Sequence, residues 1–186
     1  MEDGSIVQLY WDRDEQAIPA TAEKYGNYCA SIAKNILDRR EDAEECVNDT
    51  YMSAWNAMPP HRPQILSAFL GKLTRNLSLN RYKQNTAGKR GGGEAPVVFE
   101  EIAELVSDTD GVEQEIDRRE LIEAIDAFLD RLPADTRGIF VCRYWYFESI
   151  SHIASRFGRT ENQISAVLSR LRPKLRSYLS ERGFDL

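Results

Sequence analysis

The sequence predicts an all-α protein made of two small helical domains joined by a flexible linker, and three observations carry that reading. Apolar residues recur at intervals of three and four through both halves of the 186-residue chain. No run alternates apolar and polar residues with the period of a strand, and no hairpin signal interrupts either half. Between the halves lie Thr86, Ala87, Gly88, Lys89, Arg90, Gly91, Gly92 and Gly93, which have little to bury and much backbone freedom to lose on ordering. The divisions that follow are a first domain over residues 1–83, a flexible acidic linker over 84–111 and a second domain over 112–186.

In the first domain a short helix is expected around Ile6 to Ile18. From Tyr25 to Leu37, the residues Tyr25, Cys29, Ile32, Ala33, Ile36 and Leu37 line one helical face. Asp38 with Glu41 resembles a capping pair that would open the next helix, which turns Ala43, Val47, Thr50, Tyr51 and Ala54 inward until Pro59 and Pro60 stop it. A further helix from about Gln64 to Tyr82 places Leu66, Leu70, Leu73 and Leu77 on one side and Lys72, Asn76 and Lys83 on another, with Arg75 and Asn80 flanking. Past the glycines, Val97, Val98, Phe99, Ile102, Leu105 and Val106 can form a short docking helix within the acidic stretch.

The second domain begins with a stripe of Leu121, Ile122, Ile125, Phe128, Leu129 and Leu132 that ends at Pro133. Pro133 suits the first turn of a helix carrying Phe140, Tyr144 and Trp145 to a core. Ser149 then caps a short helix with Ile150, Ile153, Ala154 and Phe157 on one face, and Gly158 supplies the left-handed residue that ends it. Thr160 and Gln163 form a T-x-x-Q capping box before Ile164, Val167, Leu168, Leu171 and Leu175. Pro173 predicts a kink or a fresh helical start at Arg172.

Composition bounds the function. A hydrophobic fraction of 42% is ordinary for a chain with a buried core, and no apolar run is long enough for a membrane span. Membrane insertion is therefore not expected, and the cytoplasm is the default location. Cys29, Cys46 and Cys142 are widely spaced inside apolar stretches and read as core thiols, while His61 and His152 stand apart from them; neither a metal site nor a cofactor site is expected. No phosphate loop, nucleophile motif or paired histidine and carboxylate points to an enzyme. The net charge of −6 conceals a segregation. Arg62, Lys72, Arg75, Arg81, Lys83, Lys89 and Arg90 fall in a stretch without Asp or Glu, and Arg156, Arg159, Arg170, Arg172, Lys174 and Arg176 form a second basic block interrupted only by Glu161. Between them lie Glu100, Glu101, Glu104, Asp108, Asp110, Glu113, Glu115 and Asp117. Two basic surfaces separated by an acidic segment fit two nucleic-acid contacts with a repelled stretch between them.

The short helix, glycine turn and longer helix from Ser149 to Leu175 follow the helix-turn-helix pattern. The second of these helices offers Thr160, Asn162, Gln163, Ser165, Ala166, Ser169 and Arg170 to a major groove, where amides read adenine and arginine reads guanine. Arg172, Lys174 and Arg176 are better suited to phosphates, which set position without reading sequence.

Taken together, these motifs resemble the extracytoplasmic-function sigma factors, and the likeness covers nearly the whole chain. The run from Arg40 to Tyr51 is similar to the family's region 2.2, which docks on the clamp coiled coil of the polymerase largest subunit; Phe69 to Asn80 is similar to the region that opens and reads the minus-ten element. Leu132-Pro133, Arg143-Tyr144-Trp145 and Ser149 through Leu175 resemble region 4, which reads the minus-thirty-five element. The resemblance implies a region 2 bundle and a region 4 helix-turn-helix, with core RNA polymerase and promoter DNA as partners. It leaves open whether an anti-sigma factor is a further one. On that basis Glu45, Asn48, Asp49 and Met52 are the expected polymerase-binding residues. Lys72, Arg75, Asn76, Asn80 and Lys83 are expected at the minus-ten strand, with Tyr82 as a stacking surface, and the residues from Thr160 to Lys174 named above at the minus-thirty-five duplex. The acidic linker would thread the channel that later carries RNA. Gln163, Ser165 and Val167 stand where many relatives carry lysine or arginine, which lowers the share of affinity expected from that helix. The alternative is a free-standing helix-turn-helix regulator, against which the basic stretch from Lys72 to Lys83 and the long linker both argue.

Overall fold

A computed structural model describes residues 1–86, 97, 98, 101 and 114–184. Among these residues there are eight helices and no strand, and the chain divides into two compact units, Met1–Ala95 and Pro96–Leu186. The glycine run 88–93 and the acidic and apolar positions Phe99, Glu100, Ile102, Glu104, Leu105, Val106, Asp108, Asp110 and Glu113 lie outside the described residues. No described helix is long and apolar enough to cross a membrane.

The first unit holds α1 (Asp3–Trp11), α2 (Ala17–Ile36), α3 (Arg40–Ala57) and α4 (Leu66–Thr86). Helices α2, α3 and α4 pack pairwise and α1 lies against α2. Ile6, Val7, Tyr10, Ala17, Cys29, Ala54, Met58, Leu66 and Leu70 form its core. The single helix expected over Ile6 to Ile18 is broken after Trp11: Arg13 takes a left-handed φ of 57°, and the Asp14 carboxylate accepts the Gln16 N–H at 2.9 Å. Such an Asx turn offers the backbone an alternative to helix. Nor does Asp38 cap α3. The N-cap is Arg39, which makes no side-chain capping bond.

In α4 the buried line runs Leu66, Leu70, Thr74, Ser78 at intervals of four, while Leu73 and Leu77 are half-buried on its flank. Thr74 lies 3.1 Å from Thr50 of α3, and each hydroxyl reaches a carbonyl one turn back, Leu70 at 2.9 Å and Cys46 at 2.8 Å. Two protons serve three contacts, so small hydroxyl residues fill a seam that an apolar count assigns to leucine. Helices α2 and α4 approach closely at Gly71, where an added Cβ would collide with the Tyr28 hydroxyl.

The second unit holds α5 (Gln114–Asp130), α6 (Ala134–Tyr144), α7 (Ile150–Phe157) and α8 (Glu161–Ser180). Ile139, Phe140, Ile153, Ala154, Ile164, Leu168, Leu171, Leu175 and Leu179 are buried. Two apolar expectations fail: Ile122 is 51% exposed and Trp145 is 41% exposed. Ala124 and Phe128 are buried among the described side chains of α5, and Trp145 lies past the end of α6 as its C-cap, beyond the buried turn that holds Tyr144. Pro133 is the N-cap of α6, one position before its first turn. Pro173 does not restart the helix: α8 runs unbroken from Glu161 to Ser180, with Leu171, Leu175 and Leu179 buried on either side of an exposed proline. The α6–α7 turn puts Phe147 at φ 56° with its side chain fully buried, a conformation costing about 1–3 kcal/mol that its packing must offset.

Candidate functional site

The face of α3 formed by Glu45, Asn48, Asp49 and Met52 is solvent-exposed, its members three and four residues apart. Glu45 differs from the others. It pairs with Arg81 of α4 at 2.9 Å, and Arg81 also lies 3.7 Å from the buried Asp42. Asp42 accepts a bond from Asn85 at 2.9 Å as well, so this acidic edge stitches α3 to α4. Asn48, Asp49 and Met52, with Met52 51% exposed, form the outward remainder.

On α4, Lys72, Asn76, Asn80 and Lys83 are exposed at spacings of four, four and three and share one side of the helix. Arg75 is half-buried on the flank, where burial pushes its guanidinium below the ordinary value. Tyr82 is half-buried too, and desolvation raises its phenol. The exposed face of α4 is thus narrower than the basic block in the sequence. Trp55 is half-buried, edge-on to Tyr10 at 6.2 Å with Arg13 over its ring at 5.3 Å.

The helix-turn-helix geometry follows from local chemistry. The Ser149 hydroxyl accepts the His152 N–H at 3.2 Å to start α7, and Gly158 ends it at φ 61°, ψ 35°. In the capping box, the Thr160 hydroxyl accepts the Gln163 N–H at 3.2 Å and the Gln163 side-chain Oε1 accepts the Thr160 N–H at 2.9 Å. This bears on base reading. Bidentate recognition of adenine needs both the oxygen and the amide nitrogen, and the cap occupies the oxygen of Gln163. Asn162, Ser165, Ser169 and Arg170 are exposed on the same helix, Ala166 is half-buried, and Ser169 donates back to the Ala166 carbonyl at 3.2 Å. Lys174 and Arg176 are exposed one to two turns further on.

Arg172 turns back into the second unit. Its Nη1 donates to the Tyr144 hydroxyl at 3.2 Å and lies 3.7 Å from a carboxylate oxygen of Glu101. Glu101 is gripped as well by Arg143, only 1% exposed, through Nη2 at 2.8 Å and Nε at 3.3 Å, while Nη1 of the same guanidinium donates to the Glu148 carbonyl at 2.9 Å. Burial, opposed by the Arg172 bond and reinforced by Glu101, pushes Tyr144 up to about 12. The Glu148 carboxylate is buried against Arg156 at 3.0 Å, and Arg159 pairs with Asp135 at 3.2 Å. Several arginines of the basic block therefore serve the fold. Periodicity gives no sign of this network because its partners are distant in sequence; its one trace is a lone arginine inside the apolar run from Val141 to Phe147.

A family model described as sigma-70 region 2 matches residues 21–87, the span of α2 through α4 with its polar α3 edge and basic α4 face. Over 183 residues, 95% of this chain and 94% of the relative, the sequence is 26% identical to RNA polymerase sigma factor NccH of Alcaligenes xylosoxydans xylosoxydans. That likeness extends through the capped helix-turn-helix of the second unit. With a sigma-70 region 2 match over the α2–α4 bundle and a likeness along nearly the whole chain to a sigma factor, the chain is similar to the RNA polymerase sigma factors.

Proposed function

We propose that this protein is a sigma factor of the extracytoplasmic-function type that binds core RNA polymerase through the first unit, captures the separated minus-ten strand on α4 and holds the minus-thirty-five duplex with α8, so directing initiation to particular promoters. The observation that supports it best is the pairing, in separate compact units, of an exposed Lys72/Asn76/Asn80/Lys83 face with a helix-turn-helix whose second helix is opened by a capping box. The division into residues 1–83, 84–111 and 112–186 belongs to the same reading, with α4 continuing to Thr86.

The docking contact is polar and acidic around one apolar side chain: Asn48 and Asp49 meet a basic partner helix and Met52 buries against it, while Glu45 is already neutralised by Arg81. Capture of a melted strand exploits differential binding. Unstacking costs a few kcal/mol per step, and cations with amide donors on α4 offset it only once bases leave the duplex. On α8, Asn162 and Arg170 are the residues with free geometry for base edges, Thr160 and Gln163 set the angle of entry, and Lys174 and Arg176 meet phosphates. The chain supplies binding and no chemistry of its own, in the cytoplasm where polymerase works.

Purified protein added to core polymerase is expected to start transcripts at defined positions in a genomic promoter library. Arg170→Ala should weaken promoter binding by about 1–3 kcal/mol and leave polymerase affinity unchanged. Tight duplex binding without any specific initiation would support a free-standing regulator instead.

A further inference from the structure

Ser165, Ser169, Arg172 and Arg176 lie at spacings of four, three and four along one edge of α8. Ser165, Ser169 and Arg176 are exposed, but the Arg172 side chain is only 21% exposed and turns back to Tyr144 and Glu101. The carboxylate it meets is fixed from behind, because Arg143 holds Glu101 in a two-pronged grip and is itself tied to the Glu148 carbonyl. Val98, one turn before Glu101, is fully buried and gives the same segment an apolar anchor. A planar carboxylate held by two guanidinium groups has the chemistry of a phosphate held by the same groups.

We propose that Glu101 is an internal stand-in for a DNA phosphate: docked on the second unit, it withholds Arg172 from the phosphate-binding set of α8. The inference rests on the reading of α8 as a duplex-binding helix. Its consequence is that α8 binds duplex with one cation fewer than its sequence offers, as long as Glu101 stays in place. Release of Glu101 adds that cation. Arg143 is a positioning residue here, since it acts on Arg172 only through Glu101.

Salt dependence reads the number of phosphates neutralised, so it separates this role from simple support of the fold. The probe is the full chain with a fluorescein-labelled, random-sequence duplex of about 20 base pairs, its affinity followed by polarisation between about 50 and 200 mM salt. Glu101→Gln keeps the shape and an acceptor for Arg143 but removes the charge. It should steepen the salt slope by about one, equivalent to an extra loss of roughly 3.5-fold over that range. Arg172→Gln in the native chain should leave the slope unchanged, and Glu101→Gln combined with Arg172→Gln should return to the native slope. The proposal is overturned if Arg172→Gln alone flattens the slope by about one, or if folded Glu101→Gln matches the native protein. Should Glu101→Gln fail to fold by circular dichroism, the Arg172→Gln slope still decides. If the native chain binds duplex with no salt dependence at all, the duplex-binding reading of α8 fails and this inference with it.

Discussion

Replacing Arg143 with methionine tests the buried network most sharply. The guanidinium is 1% exposed, and its Nε and Nη2 bonds to Glu101 and Nη1 bond to the Glu148 carbonyl measure 3.3, 2.8 and 2.9 Å. Methionine matches the length of the stem but leaves Glu101, itself 19% exposed, with Arg172 at 3.7 Å as its remaining cation, and removes a donor from a buried carbonyl. Breaking a buried pair by removing one partner costs about 3–5 kcal/mol, a large part of the stability of a small unit. Removing both charges is different, because the ion left behind, Arg172, keeps the Tyr144 hydroxyl and is partly open to solvent. Arg143→Met with Glu101→Leu should therefore come within about 1 kcal/mol of the native protein. Urea denaturation followed residue by residue by NMR separates the two units and gives both values. A loss under about 1 kcal/mol for Arg143→Met, or a double variant as unstable as the single one, would refute the view that this pair organises the second unit.

Other variants probe the first unit. Gly71→Ala drives a methyl group into the Tyr28 hydroxyl and should destabilise that unit by about 1–3 kcal/mol, with Tyr28→Phe recovering part of the loss in a thermal melt. Lys24 at 2.7 Å and Tyr25 at 2.6 Å hold the Asp3 carboxyl below its ordinary value. A depressed folded-state pKa contributes stability above the unfolded value, which is lost as pH falls through the folded one. Asp3→Asn should accordingly cost up to about 1 kcal/mol near neutrality, and the difference from the native protein should vanish in acid, as read from urea midpoints across pH. Asp49→Lys should weaken assembly with core polymerase roughly tenfold or more while leaving duplex affinity intact; unchanged co-elution with core polymerase would remove Asp49 from the docking face.

Much of the fold was legible because the signals were local. Ser149, Gly158 and the Thr160–Gln163 box act within three or four residues, and all three occur where the sequence places them. The buried thiols Cys29, Cys46 and Cys142 likewise follow from their apolar settings. Where the reading failed, a nonlocal term had decided. Thr50 is buried as its helical face predicts, but the burial of Thr74 and Ser78 opposite it depends on how near α3 comes to α4, which periodicity does not encode. The fresh start at Arg172 does not occur: Pro173 stays within α8 because leucines on both sides are buried, and that packing outweighs the local bias against helix there. For the candidate site, exposed positions such as Asn76 and Arg170 follow from the helical wheel. The recruitment of Arg81, Arg143 and Arg172 into internal ion pairs does not, since a cation in a sequence looks the same whether it faces a phosphate or a carboxylate.

The division of labour between the units is tested most directly by site-specific photo-crosslinking in the assembled holoenzyme on promoter DNA. With a photoreactive amino acid at Asn76 in one preparation and at Ala166 in another, the account predicts crosslinks from Asn76 to the separated non-template strand near the start site. From Ala166 it predicts crosslinks to paired DNA upstream. Crosslinks from both positions to the same stretch of duplex, or from Ala166 to the melted strand, would contradict it.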